Sequence, residues 1–116
     1  MQPLVSIITP MFNNENVIKE TITSVVNQTY LNWELLLIDD CSSDNTVEVV
    51  TEYSKSDPRI KLLKHSENKG AAKARNLGTK MAEGKFIAFL DADDYWEPTF
   101  LKETTSFLEK NVAAIA

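Results

Sequence analysis

Three carboxylates crowd into four positions at Asp91-Ala92-Asp93-Asp94, directly after the apolar run Phe86-Ile87-Ala88-Phe89-Leu90. Like charges packed this closely repel, so a compensating partner is expected. Hard divalent ions suit such oxygen ligands, and magnesium or manganese commonly takes one or two carboxylates and completes its shell with phosphate and water. The bland reading is a solvated acidic turn capping the next helix, a role Asp94 alone could fill.

A second acidic pair, Asp39-Asp40, follows the apolar run Trp33–Ile38. One carboxylate should face a crevice and the other the sheet or the following helix. A carboxylate so placed can accept hydrogen bonds from a nucleobase or ribose. Helix capping is the alternative, but Ser42, Ser43 and Asp44 already offer caps. The third constellation is Lys69-Gly70-Ala71-Ala72-Lys73-Ala74-Arg75-Asn76. Gly70 and the alanines let a helix N-terminus approach a ligand closely. Arg75 could pair with Asp40, with Asp91 or with a phosphate. An ordinary surface helix with small residues against a sheet is the competing explanation.

The remaining features say less. His65 is the single histidine, at a strand end, and zinc is not expected without companion ligands. Cys41 reads as an inert turn residue, Trp33 and Trp96 as packing or wall residues. Met11 and Phe12 lie in the first strand-end loop, where a ring could face a base.

The elements that must position these groups alternate regularly. Strands are expected at Leu4–Thr9, Trp33–Ile38, Ile60–Leu63 and Phe86–Leu90. Helices are expected over the stripe Val17, Ile18, Ile22, Val25 and Val26, from the Ser42–Asp44 caps to about Tyr53, from Gly70 to about Ala82 with Gly84 as its C-terminal stop, and from Pro98 through Leu108. Asn111–Ala116 reads as the start of another strand. Strand-helix alternation predicts an α/β fold: three layers, Rossmann-like, with a mostly parallel sheet. In such sheets ligands sit beyond the carboxyl ends of the strands. That directs attention to Thr9–Glu15, Asp39–Asp44, His65–Gly70 and Asp91–Asp94.

Composition narrows the classes. The 116 residues fit one domain, are 43% hydrophobic and 25% charged, and carry a formal charge of −5. An acidic domain without a basic face is a poor partner for nucleic acid. A single cysteine, Cys41, excludes an internal disulfide and suits a reducing compartment. No apolar run approaches the ~20 residues of a membrane span, and no signal peptide opens the chain. A cytoplasmic location is expected, with membrane association only through a partner or a missing segment.

The first strand-end loop, Thr9–Glu15, has no glycine, which removes a dinucleotide dehydrogenase, and Gly78-Thr79-Lys80 has neither the spacing nor the order of a phosphate-binding loop. A receiver-like signalling domain with an acidic phosphoacceptor site is the alternative, because Leu37-Ile38-Asp39-Asp40 looks like its acidic pair. That pair should close the first strand, and here it closes the second. A haloacid-dehalogenase-type phosphatase also has Asp-x-Asp after a strand, but on an early strand and without Tyr95 following.

Taken in order, the chain resembles the family 2 inverting glycosyltransferases of the A-type fold. The matching text is Val5–Pro10 with Phe12-Asn13 and Glu15, Ser24–Tyr30, Glu34–Asp40 with Ser42–Thr46, Asn68-Lys69-Gly70 with Ala74-Arg75-Asn76, and Phe89–Asp94. Each motif is weak alone; all five in register span nearly the whole chain. The resemblance implies that residues 1–116 are the N-terminal, nucleotide-sugar-binding portion of a longer glycosyltransferase with a truncated fold. It implies a donor site of Thr9, Pro10, Phe12, Glu15, Asp40, Gly70, Arg75, Asp91 and Asp93. The loop around Pro10 and Phe12 would cradle the base, with Asp40 bonding it. Arg75 would hold the nucleotide, Asp91 would face the ribose, and Asp93 with Asp91 would face Mn2+ or Mg2+. The implied partners are a nucleotide sugar, most often a uridine diphosphate sugar, and a saccharide or lipid-linked acceptor. The family often has Tyr at position 12 and Gly at position 41, where this chain has Phe12 and Cys41. The acceptor pocket and the catalytic base are implied to lie downstream of residues 1–116, so no catalytic residue is assigned within them and slow or no turnover is expected from them alone.

Overall fold

The computed structural model describes residues 2–110. The strand expected at 111–116 lies outside the described residues. Eight elements follow in order: β1 Val5–Met11, α1 Ile18–Val26, β2 Trp33–Asp39, α2 Thr46–Ser56, β3 Ile60–Lys64, α3 Ala71–Met81, β4 Phe86–Phe89 and α4 Phe100–Lys110. All four strands run parallel in the order β3-β2-β1-β4. The chain therefore winds one way from β1 to β3 and then crosses back to place β4 on the other side of β1. The crevice between β1 and β4 is the point where the order reverses, the usual ligand position in an open parallel sheet.

The run Trp33–Asp39 is buried at every position because β2 is central and covered on both faces. Residues of alternate parity build two cores. Val5, Ile7, Met11, Leu35 and Leu37 meet Ile18, Ile22 and Val25 of α1, Val50 of α2 and Leu101 of α4. Ile8, Leu36 and Ile38 point the other way and meet Ala74, with Leu77 beside them, from α3. This is the expected three-layer arrangement. No helix among the described residues is long and apolar enough to cross a membrane.

The small residues of α3 are there for contact with the sheet. A Cβ on Gly78 would stand 2.6 Å from Cγ2 of Ile8 and 2.9 Å from Cδ1 of Ile38. The helix thus lies directly on β1 and β2, and its N-terminal end is carried to their carboxyl tips.

Some expected boundaries shift. β1 continues to Met11, and β4 stops at Phe89, although the Leu90 N–H still bonds the Ile8 carbonyl at 3.0 Å. Pro98 does not open the last helix; α4 starts at Phe100, and the Pro98 carbonyl instead accepts from the Thr29 N–H at 2.9 Å. Gly84 is not the stop of α3, which ends at Met81 with Ala82 in an extended conformation. Its place is set by space: a Cβ there would fall 2.6 Å from Ser6 Oγ and 2.7 Å from Ser6 N.

Gly78→Val should lower stability by about 1–3 kcal/mol, because branched atoms must displace packed isoleucines. Lys80→Ala, on the exposed side of the same helix, should change it by less than about 0.5 kcal/mol. Urea midpoints at an unchanged denaturant slope would read both.

Candidate nucleotide and metal site

Asp40 is 4% exposed, although nothing apolar about a carboxylate favours burial. Its oxygens are met by the loop that follows β3. Oδ1 accepts from the Lys69 N–H at 2.8 Å and lies 3.0 Å from His65 Nδ1; Oδ2 accepts from the Gly70 N–H at 2.8 Å. Gly70 can present its N–H because it sits at φ +94°, in the region where only glycine is unstrained. Burial by itself would raise the Asp40 pKa. The donors from Lys69, His65 and Gly70 outweigh it, and the carboxyl lies below its ordinary value.

The neighbouring carboxylate, Asp39, turns to its own loop instead. It accepts from the Ser42 N–H at 3.0 Å and from the Ser42 hydroxyl at 2.5 Å. Between them Cys41 adopts φ +69°, which explains why glycine suits this position. Ser42 and Ser43 are therefore not caps of α2. Asp44 comes nearest to that role, accepting from the Thr46 N–H at 3.0 Å.

The β1–α1 and β2–α2 loops are stapled together by groups that sequence reasoning missed. Asn13, at φ +53°, gives its N–H to Ser42 Oγ at 2.9 Å. Its side-chain oxygen accepts from the N–H of Ser43 at 2.8 Å and of Asp44 at 3.3 Å. The Asn14 N–H reaches Thr46 Oγ1 at 2.8 Å, and the Glu15 N–H reaches Asp44 Oδ2 at 3.2 Å. Asn14 Oδ1 also accepts from the Phe12 N–H at 2.7 Å. The signal was present in the type of residue, since asparagine tolerates positive φ and bonds nearby backbone. Its partners lie about 30 residues away in sequence, which no local pattern reveals.

With its backbone so held, Phe12 is left 47% exposed. It lines a cavity of about 80 Å³ with Pro10, Met11, Asp40 and Ala71. Larger hollows lie along α4 and between α1 and α2, away from the strand tips. Thr9 is wholly buried and its hydroxyl has no partner among the described residues. Thr9 and Glu15 do not line the cavity.

At the tip beyond β4, Ala92 explains the spacing of the acidic pair. It is buried, and its carbonyl accepts from the Thr21 hydroxyl of α1 at 2.9 Å, while the Asp94 carbonyl takes the same hydroxyl at 2.5 Å. The Asp94 N–H closes a turn onto the Asp91 carbonyl at 3.0 Å. With Ala92 pinned inward, Asp91 and Asp93 remain exposed. Arg75, in the second turn of α3, brings Nη2 to 3.8 Å from Asp91 Oδ1. The side chains are 42% and 65% exposed, so the pair contributes at most about 1 kcal/mol and is easily exchanged for another anion. It does not pair with Asp40.

One helix therefore touches both acidic tips: its Gly70 end holds Asp40 and its Arg75 faces Asp91. As for a metal, no group of three or more His, Cys, Asp or Glu side chains among the described residues is placed to hold an ion. Two exposed carboxylates two residues apart do not make a protein cage. They fit an ion that draws its other ligands from phosphate and water.

The family described as glycosyl transferase family 2 matches residues 6–116. The chain belongs to glycosyl transferase family 2. Over 108 residues this family 2 chain is 55% identical to the Escherichia coli UDP-Glc:alpha-D-GlcNAc-diphosphoundecaprenol beta-1,3-glucosyltransferase WfgD, covering 93% of this chain and 42% of the relative. It also resembles the structure of S. aureus TarS 1-349 in complex with UDP-GlcNAc, with a TM-score of 0.86 and 33% identity over 92% of this chain and 31% of that one. The mannosyltransferase PcManGT from Pyrobaculum calidifontis, in complex with GDP-Man and Mn2+, gives a TM-score of 0.77 and 28% identity over 83% of this chain and 29% of that one. The chain spans less than half the length of the curated relatives it matches.

Two outcomes are expected. Asn13→Ala should cost about 0.5–1.5 kcal/mol, because the exposed loop N–H groups of Ser43 and Asp44 lose their acceptor. Amide exchange at Ser43 and Asp44 should accelerate while β2 stays protected. Asp44, like Asp40, has its pKa lowered: burial raises it, but the Thr46 hydroxyl and the N–H groups of Thr46 and Glu15 outweigh this. Depressed folded pKa values stabilise above the unfolded value of about 3.9, and that stability is lost as pH falls through the folded values. Urea midpoints measured from pH 6 to 3 should fall less steeply in the Asp40→Asn/Asp44→Asn double variant than in the parent.

Proposed function

We propose that this chain is the donor-binding half of a metal-dependent, inverting glycosyltransferase. It takes a uridine diphosphate sugar, and the complete protein passes the sugar to a saccharide or lipid-linked acceptor. The observation that carries the reading is the span of α3 between a base-sized cavity at Asp40 and an exposed acidic turn at Asp91 and Asp93, with β1 and its reversal point between them. The UDP-GlcNAc bound by a relative at 33% identity supports the choice of donor. The Mn2+ in a more distant relative supports the choice of ion.

Each residue then has a physical task. Phe12 offers a half-exposed ring face to a base, and Pro10 and Ala71 close the cavity around it. Asp40 accepts a hydrogen bond from the base, held by donors from His65, Lys69 and Gly70. Arg75 exchanges its loose pairing with Asp91 for the diphosphate, to which its planar fork is better matched. Asp91 turns toward the ribose, and Asp93 with Asp91 holds Mn2+ or Mg2+. A cation bound there neutralises negative charge on the departing nucleoside diphosphate. Inverting transfer also needs a base for the acceptor hydroxyl. That base lies outside these residues, so the chain by itself binds donor and transfers little or no sugar. Its place of work is the cytoplasm, where nucleotide sugar is drawn on, with any membrane tether supplied by other segments.

The receiver-like alternative has no observation in its favour. Both Asp39 and Asp40 are buried and their oxygens are engaged by surrounding donors.

Calorimetry with uridine diphosphate tests the proposal. Binding should need manganese or magnesium. Asp93→Asn should remove the metal-dependent part, roughly a tenfold loss or more, or about 1.4 kcal/mol per decade. Metal-independent binding of equal strength in the variant would defeat the metal assignment. Absence of nucleotide binding in the full-length protein would defeat the reading as a whole.

A further inference from the structure

We infer that His65 is a positioning residue for base recognition, acting through Asp40; this rests on the donor-binding reading above. A carboxylate is aimed by the donors that hold it. Its two oxygens offer about four acceptor sites. On Asp40, His65 Nδ1 and the Lys69 N–H share Oδ1, and the Gly70 N–H takes one site on Oδ2. Oδ2 is the oxygen with capacity left, and Asp40 lines the cavity that Phe12 and Pro10 also line.

His65 is the one side-chain donor on Asp40 among the described residues; the other two are backbone groups at the far end of the same loop. The histidine is itself fixed. Its backbone N–H bonds the Asp39 carbonyl at 2.9 Å, and its side chain is 9% exposed. Facing an ionised carboxylate, Nδ1 must carry the proton. Lys69 and Gly70 hold the two oxygens from adjacent backbone N–H groups, and His65, at the other end of the loop, adds the third contact that keeps the carboxylate from tilting about that pair.

Direction decides which base is accepted. A base with a ring N–H, such as uracil, gives that hydrogen to Oδ2. Cytosine presents an unprotonated ring nitrogen at the same place, so two acceptors would face each other. A site built for a donor rejects an analogue lacking it. Losing the His65 donor leaves only the two adjacent backbone donors, about which the carboxylate can tilt, and this weakens the match to uracil and softens the rejection of cytosine. The diphosphate, held elsewhere, is untouched.

The test uses two substitutions in the full-length protein. His65→Asn places an amide nitrogen where Nδ1 stands. His65→Gln moves it toward the position of Nε2 and loses the contact. Affinities for uridine diphosphate, cytidine diphosphate and inorganic pyrophosphate, each with manganese, are measured by calorimetry alongside melting temperatures. His65→Gln should weaken uridine diphosphate roughly tenfold, narrow the uridine-over-cytidine preference and leave pyrophosphate unchanged. His65→Asn should keep the parent's preference. An unchanged preference in His65→Gln overturns the inference, and so does an equal weakening of all three ligands, which marks general damage. Failure of the parent to bind either nucleotide overturns the donor-binding reading itself, an outcome distinct from the other two.

Discussion

A buried carboxylate is a liability unless its charge is met, and the structure turns that liability at Asp40 into its organising contact. Removing an anion from water costs several kcal/mol even after relaxation. Here the cost is offset by donors drawn from residues 65 to 70, so the loop after β3 must come to the tip of β2. Once Gly70 is fixed there, α3 has its starting point. Gly78 and Ala74 then let the helix lie flat on Ile8 and Ile38. Arg75 is delivered to Asp91 as a consequence. A single interaction thus links the tips of β2 and β4 without either strand touching the other.

The other two loops are arranged by the same physics with neutral groups. Asn13 satisfies backbone N–H groups of the adjoining loop, Thr46 accepts the Asn14 N–H in return, and Thr21 binds the carbonyls of Ala92 and Asp94. Buried or half-buried backbone groups must find partners, and short polar side chains supply them where strands have ended. Outside these networks stand the ring of Phe12, the guanidinium of Arg75 and the carboxylates of Asp91 and Asp93, all exposed or loosely paired. In the proposed site Asp40 is buried and held by three donors, while the other groups are exposed or loosely paired.

Much of the fold was legible because its determinants are local or periodic. The stripe Ile18, Ile22 and Val25 and the continuous run Trp33–Ile38 announce a helix and a buried parallel strand. Misreadings came where one residue has two physical uses. Gly84 looked like a helix stop, but it is small because Ser6 lies against it. Pro98 looked like a first helical turn, but its carbonyl serves Thr29. Ser42 looked like a cap, but its hydroxyl donates to Asp39 and accepts from the Asn13 N–H of another loop. In each case the deciding partner lies outside the local pattern that suggested the role.

The sequence by itself determined the class of fold and the pool of chemical groups, because apolar period and acidic pairs are written in neighbouring residues, and five motifs in register carried the resemblance to the family. Tertiary structure decided how those groups are divided. It sent Asp39 inward to Ser42 and Asp40 to the loop after β3, drew Arg75 to Asp91 rather than Asp40, and enlisted His65, which the sequence left as a lone residue. Hydrogen-bond direction and burial depend on which loops meet in space, and that is fixed only when the strand order reverses beside β1.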